Sequence, residues 1–353
     1  MKKHAKDKRI LAAEVAQRYY LGDPPMTQRG IAKELKVNEA TVSRLLQYAR
    51  QEGLVEISLC LPRDRQFELM LIREYDLVEA VVAPILPPDE SRRSWMFRKQ
   101  LATEAARHLD EDGTPLKSGG RVGISCGATL RYLVSALTPR RFSDMTISQL
   151  TVETEIDQSI DVSPFTLVGM LFAKWNAENL ERRQSEVRGG ANPSPQVYAV
   201  QPLPGSMRKD SQWASEYKEC WDTIMKMAKE LDVAILGISS CGQGDDGGSL
   251  HQILVRHNLN PGRLARKGVV GEICNRPYDK DGNDMTGEVE GLSDYVDGVE
   301  LSVLQGLVAN GRKVIAIAGG DGKRRAIQVA LRSKFVNYLI TDSATAEWLC
   351  QKR

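Results

Sequence analysis

The chain has 353 residues, 42% of them apolar and 27% charged, which is material for about two packed domains and excludes a disordered or fibrous protein. Its 48 basic and 46 acidic side chains leave a net charge of +2, so any contact with nucleic acid has to be local. The basic excess lies at the start: residues 1–60 hold 11 Lys and Arg against 7 Asp and Glu, whereas the rest hold 37 against 39.

The opening MKKHAKDKRI is charged, and the LAAEVAQRYY that follows is interrupted by polar residues, so neither reads as a secretory leader. No run approaches the roughly 18 apolar residues of a membrane span, and a cytoplasmic location is expected. The six cysteines, Cys60, Cys126, Cys220, Cys241, Cys274 and Cys350, are scattered without a C-x-x-C pair and away from the four histidines. They read as reduced thiols, with no disulfide frame, metal site or cofactor expected.

Residues 8–21 carry Ile10, Leu11, Val15, Tyr19 and Leu21 at near-helical spacing, and Gly22-Asp23-Pro24-Pro25 ends that helix. Thr27 then caps a second short helix with Ile31, Ala32 and Leu35 inward. After a turn at Val37 and Asn38, EATVSRLLQYARQEGL predicts a third helix with Val42, Leu45, Leu46 and Ala49 inward. Leu54-Val55-Glu56-Ile57 predicts a short strand. Three helices with a tight turn before the third, closed by a strand, make a winged helix-turn-helix.

The outer side of the third helix then carries Glu39, Ala40, Thr41, Ser43 and Arg44, short or hydrogen-bonding side chains that suit entry into a major groove about 12 Å wide. Thr27, Gln28 and Asn38, at the starts of the second and third helices, complete the expected DNA-contacting set. Lys2, Lys3, Lys6, Lys8 and Arg9 can act as a basic arm. Glu39 fits least, because a carboxylate repels phosphate unless it accepts from cytosine. A three-helix protein-interaction module with a solvated basic face is the alternative.

Residues 61–77 predict a connecting helix that pairs two readers, or equally the first helix of the large domain, which spans 78–353. There β-branched runs alternate with amphipathic helices, the pattern of an α/β domain with a mainly parallel sheet covered on both faces. In such sheets ligands bind beyond the carboxyl ends of the strands. GISCGATL lies at one such end: Ser125, Cys126, Gly127, Ala128 and Thr129 form a small-residue loop opening a helix, suited to an anion. The same run also matches a nucleophile elbow with Ser125 as nucleophile, although His251 and His257 make poor partners.

AGGDGK is a second such loop, in which Gly319, Gly320 and Lys323 either hold an anion or simply make a tight connection. Glu272, at the end of a buried strand, is placed either to accept from sugar hydroxyls or to serve the fold. Ser239 and Gln243 are weaker candidates for the same cleft.

The run MTQRGIAKELKVNEATVSRLLQYARQEGLVEISL resembles the N-terminal reader of the SorC-type regulators, sugar-binding relatives of the DeoR regulators. GISCGATL, LDVAILGIS, VGEICNRPYDKDG and VIAIAGGDGK…VNYLITDSATA resemble, in order, segments of that family's sugar-binding domain. The resemblance implies a Rossmann-like, sugar-phosphate-isomerase-like effector domain that binds a sugar, sugar phosphate or polyol, and a homotetramer on operator DNA. It assigns the Ser125–Thr129 loop to the effector, Glu272 to a sugar hydroxyl and Lys323 to a phosphate.

Two departures bear on ligand and operator. Asn38-Glu39 replaces the family's usual Ser-Arg at the turn, and Thr151-Val152-Glu153-Thr154-Glu155 stands where a glycine pair is common. Glu153 therefore joins the expected effector set, and its charge favours hydroxyl-rich over phosphorylated ligands. The expected function is a DNA-binding regulator of carbohydrate metabolism with no catalytic activity. The alternatives are an isomerase-like or deaminase-like enzyme using Glu153, Glu155 or Asp342 as base, and a DNA-binding protein without a ligand.

Overall fold

A computed structural model describes residues 2–55, 62–85, 93–111, 116–140, 142, 144–152, 163–176, 196–200, 211–241, 248–289, 291–293 and 297–351. The chain divides into two compact units, Met1–Cys60 and Leu61–Arg353.

The first unit contains α1 (Lys2–Tyr20), α2 (Gln28–Glu34) and α3 (Glu39–Gln51). Its core holds the predicted residues of α2 and α3, with Ile31 and Ala32 closing on Val42, Leu45, Leu46 and Ala49. On α1 only Val15 of the predicted set is fully buried, beside Ala12 and Ala16, while Ile10 and Leu21 are exposed because the buried stripe of α1 runs through its small residues. Arg18 ties α1 to α2 through Glu34 while also pairing with Glu14, both at 2.7 Å. Lys36 adopts φ +52°, the left-handed turn that redirects the chain into α3. Leu54 and Val55 follow α3 without forming a strand, and Glu56 and Ile57 lie outside the described residues. The three helices thus match expectation, whereas the wing is not seen among the described residues.

The second unit opens with α4 (Arg65–Tyr75), which is no free connector: Leu71 and Tyr75 are buried, and the Tyr75 hydroxyl donates to the Leu349 carbonyl at 3.1 Å. Its strands are β1 (Glu79–Ala83), β2 (Arg121–Ile124), β3 (Thr146–Gln149), β4 (Thr151–Val152), β5 (Gln196–Tyr198), β6 (Val233–Leu236), β7 (Ser239–Ser240), β8 (Val269–Ile273), β9 (Arg276–Asp279), β10 (Asp297–Gly298), β11 (Lys313–Ile317) and β12 (Tyr338–Asp342). The remaining helices are α5 (Arg93–Asp110), α6 (Ala128–Ala136), α7 (Pro164–Trp175), α8 (Ser211–Ala228), α9 (Ser249–Arg256), α10 (Gly262–Arg266), α11 (Leu301–Ala309), α12 (Arg324–Arg332) and α13 (Ser343–Gln351).

Seven strands form one parallel sheet in the order β1-β12-β11-β6-β2-β3-β5. Runs such as VAIL, KVIAI and YLITD are buried on both faces, which is why they show no alternation. Val314 and Ala316 face α4, α11, α12 and α13, while Ile315 and Ile317 face α5, α6 and α7. From β2 the chain runs outward through β3 to β5, then returns beside β2 as β6 and proceeds the other way through β11 and β12. The order reverses between β2 and β6, the topological switch point where ligands of such sheets bind. The GVVGEIC run that carries Glu272 forms β8 of a separate antiparallel sheet, β7-β8-β9, and is no part of the main one.

Candidate DNA-reading face and effector crevice

On α3, Glu39, Ala40, Ser43 and Arg44 are exposed, and Thr41 is half-buried. Ala40, Ser43 and Arg44 point away from Val42, Leu45 and Leu46, while Glu39, three residues before Val42, and Thr41, four before Leu45, flank the buried face, because residues three and four apart share a helix face. Asn38 is committed elsewhere: its Oδ1 accepts both the Thr41 N–H and the Thr41 hydroxyl at 2.7 Å, capping α3. Thr27 likewise caps α2 by accepting the Gly30 N–H at 3.1 Å, and Gln28 is half-buried behind it. Thr27 and Asn38 thus set the starts of α2 and α3 through their side-chain oxygens. Gln47 was not among the predicted residues; it is exposed on the next turn beyond Ser43 and Arg44, and a carboxamide can read adenine through two hydrogen bonds. Its signal was the same helical spacing carried one turn further. Of the expected basic arm, Lys8 lies 4.1 Å from the Tyr48 ring centroid and Arg9 is exposed, while the side chains of Lys2, Lys3 and Lys6 lie outside the described residues.

In the second unit the Ser125–Thr129 loop leaves β2 at the switch point, and the Ser125 N–H donates to the Ile235 carbonyl of β6 at 3.0 Å. Gly127 has φ +120°; among the described residues no atom lies within 4 Å of where a Cβ would stand, and no side chain caps α6 behind it. That leaves the backbone of the first turn open to an anion. The Ser125 hydroxyl faces inward instead: it is 3% exposed, accepts the Cys126 N–H at 2.6 Å and hydrogen-bonds the Cys274 sulfur. The Cys126 thiol points to Asn275 Oδ1 at 3.9 Å. Burial pushes the Cys274 thiol far above its ordinary pKa, so it stays protonated and unreactive.

One wall beside this loop escaped the sequence reading. Cys274 and Asn275, at φ +53° and +61°, form a two-residue left-handed turn between β8 and β9. Asn275 donates to the Val152 carbonyl at 3.5 Å, and Arg276 donates twice to the Gly298 carbonyl, at 3.2 and 3.0 Å. A Cβ on Gly298 would lie 1.9 Å from the Cys274 carbonyl oxygen, so only glycine lets the turn seat. The available signal was Asn275 in a two-residue gap between two strand-like runs.

Glu272 is 3% exposed, and its carboxylate accepts the Leu250 N–H at 3.2–3.4 Å, at the N-terminus of α9. A Cβ on Gly248 would stand 2.1 Å from Glu272 Oε1, which records how closely the helix start approaches. Glu272 therefore serves the fold as helix partner, across the ladder from Ser239. Glu153, Glu155 and Gln243 lie outside the described residues.

The second loop is closed where the first is open. The Gly320 N–H donates to Asp342 Oδ2 and to Thr345 Oγ1, both at 2.9 Å. A Cβ on Gly319 would stand 2.2 Å from Asp342 Oδ2 and 3.3 Å from the Phe97 ring. Gly319 and Gly320 are thus glycines for close packing, not for cradling an anion. Lys323, at the end of the turn Asp321–Lys323 that follows β11, is half-buried. Asp342 also accepts the Thr345 N–H at 3.0 Å and the Thr345 hydroxyl at 2.6 Å, a frame role that leaves it poorly placed as a base. His251 lies within α9 and His257 at its C-terminal cap. Among the described residues no group of three or more His, Cys, Asp or Glu is arranged to hold a metal, and no helix is long and apolar enough to cross a membrane.

Residues 204–351 match the family model described as "Putative sugar-binding domain". The chain is 29% identical over 346 residues to the deoxyribonucleoside regulator of Bacillus subtilis, covering 98% of each chain. It is 28% identical over 347 residues to the sorbitol operon regulator of Klebsiella pneumoniae, covering 96% of this chain and 97% of the relative. The crystal structure of that full-length Klebsiella regulator, SorC, superposes with a TM-score of 0.60 at 25% identity, over 98% of this chain and 99% of the other.

Proposed function

We propose, from the likeness to SorC/DeoR-type regulators over nearly the whole chain, that it is a transcriptional regulator whose operator binding is modulated by a small carbohydrate. Residues 1–60 read the major groove through Arg44, Ser43, Ala40 and Gln47 of α3, with Glu39 accepting from cytosine. Residues 61–353 hold a sugar, sugar phosphate or polyol at the switch point, with the open turn at Gly127, between Ser125 and Thr129, as the anion or hydroxyl cradle and Lys323 as the cation of the site. The observation that carries this reading is the pairing, in one chain, of an exposed α3 face with an open loop at the reversal of strand order.

Occupancy can bias DNA binding only through a difference in ligand affinity between the DNA-competent state and the other state, so DNA must change ligand affinity by the same factor. One reader covers a short site, and a homotetramer supplies the paired half-sites. The protein works in the cytoplasm, where operator and metabolite meet. Asp342 and Glu272, both committed to backbone N–H groups, support a binding role over catalysis.

A thermal-shift screen of the purified chain against sugars, polyols and their phosphates tests the effector half, since a ligand at a hundred times its Kd stabilises by about 2.7 kcal/mol. Selection of bound duplexes from a random pool, with and without the hit, tests the other half. Turnover of a sugar phosphate, or no selected sequence, would overturn the reading.

A further inference from the structure

A polar chain that neither unit's proposed function uses runs along the free edge of β1. Segment 62–64, the first described residues of the second unit, lies along the free edge of β1, where the Asp64 N–H donates to the Val82 carbonyl at 3.2 Å. Arg63, whose side chain is 11% exposed, pairs through Nε with Glu68 Oε1 at 2.7 Å, and Glu68 also accepts the Val82 N–H at 3.0 Å and pairs with Arg65 at 3.0 Å. Arg63 Nη1 lies 3.0 Å from His108 Nδ1, while Nη2 is buried without a partner among the described residues.

His108, near the end of α5, is 8% exposed. A guanidinium can only donate, so Nδ1 accepts and neutral His108 carries its hydrogen on Nε2. That Nε2 meets the Tyr338 hydroxyl, which hydrogen-bonds Glu79, itself 3.3 Å from Nε2. Donors and acceptors then run in one direction from Arg63 through His108 and Tyr338 to Glu79. A second acceptor waits on the other nitrogen: Glu111 Oε2 stands 3.4 Å from Nδ1.

We propose that this chain is an acid-sensitive latch on segment 62–64, in which protonation of His108 exchanges Arg63 for Glu111 at Nδ1. Protonated Nδ1 becomes a donor, cannot accept from Arg63, and places a second positive charge against the guanidinium. Glu111 takes the new N–H, and Arg63 keeps only Glu68. The groups facing the imidazole are Arg63 from the segment, Glu79 from β1, Tyr338 from β12 and Glu111 from α5 itself; Glu68 and Arg65 act through Arg63. Burial and Arg63 lower the imidazole pKa, the two carboxylates raise it, and burial is the largest effect, so the latch is closed at neutral pH.

The test is amide hydrogen exchange on the full chain between pH 7.5 and 5, corrected for intrinsic rates, reading the Asp64 amide against the core amide of Ile315. Protection of Asp64 is expected to fall by about tenfold more than that of Ile315 as His108 titrates, because Ile315 follows only the change in global stability whereas the opening of a local segment sets the exchange of Asp64. His108→Asn keeps an acceptor near the Nδ1 position and does not titrate, so its Asp64 protection should be flat. Arg63→Gln, read alongside wild type, should be unlatched at all pH values and should raise the His108 pKa followed by imidazole NMR. Asp64 protection that stays constant while the imidazole titrates, or that falls identically in His108→Asn, would overturn the latch; if that variant does not fold, the wild-type and Arg63→Gln profiles decide.

Discussion

Asp342 takes the Gly320 N–H at 2.9 Å, which removes from the second loop the backbone donor that an anion there would use. The same carboxylate holds the Thr345 amide and hydroxyl, so one buried charge fixes the end of β11 to the start of α13. Asp342→Asn is expected to destabilise the unliganded second unit by about 1–3 kcal/mol, the cost of weakened charge-assisted bonds and a misplaced donor. Denaturant unfolding followed by a probe in the second unit checks it.

Lys323 ends the turn that follows Gly320, whose N–H is already engaged by Asp342, so the ammonium has to act on an anionic ligand without help from that amide. Lys323→Ala should weaken a phosphorylated ligand by about 1.5–3 kcal/mol and leave a neutral polyol nearly unaffected. Isothermal titration with both kinds of hit separates the cases, and equal losses for both would remove Lys323 from a phosphate role.

Glu272 accepts the first free amide region of α9 from beneath a glycine that leaves no room for a side chain. If its role is helix partner, Glu272→Ala lowers the stability of the protein with no ligand present, by about 1–3 kcal/mol for the unsatisfied buried N–H. A sugar-contact role alone predicts an unchanged melting temperature without ligand and a loss only with it.

Arg44 and Gln47 project from one face of α3, and their losses should differ in kind. Arg44→Ala is expected to abolish specific operator binding while ligand-induced stabilisation persists. Gln47→Ala should relax specificity at a single base pair by about 1–3 kcal/mol. Fluorescence anisotropy with single-base operator variants measures both, and uniform weakening across all sequences would assign either residue to phosphate instead.

His108 gives stability a pH slope of defined sign. Burial holds the folded imidazole below its ordinary pKa of about 6.5, so between that value and the folded one the unfolded chain binds more protons. The stability it contributes is full above about pH 6.5 and is lost as pH falls toward the folded pKa. Urea midpoints of wild type and His108→Asn should therefore converge on acidification, the variant lacking the wild-type decline.

Local features were legible in the sequence because they depend on neighbours along the chain. The inward positions Val42, Leu45 and Leu46 follow from helical period alone, and the caps at Thr27 and Asn38 from residue chemistry at helix starts. Uninterrupted runs such as VAIL and KVIAI carry the parallel sheet for the same reason, since a strand buried on both faces has no polar side. What escaped depends on partners far apart in sequence: Asn275 reaches back to Val152, Glu272 to Leu250, and His108 meets Tyr338 across 230 positions. GISCGATL and AGGDGK look alike as strings of small residues, yet Gly127 meets no atom of the described residues where a Cβ would stand, and Gly320 is bound by Asp342. The sequence determined that both loops would end strands and begin helical turns. Only the tertiary structure decided at which of them a buried carboxylate from another strand arrives within hydrogen-bonding distance of the turn's glycine amide.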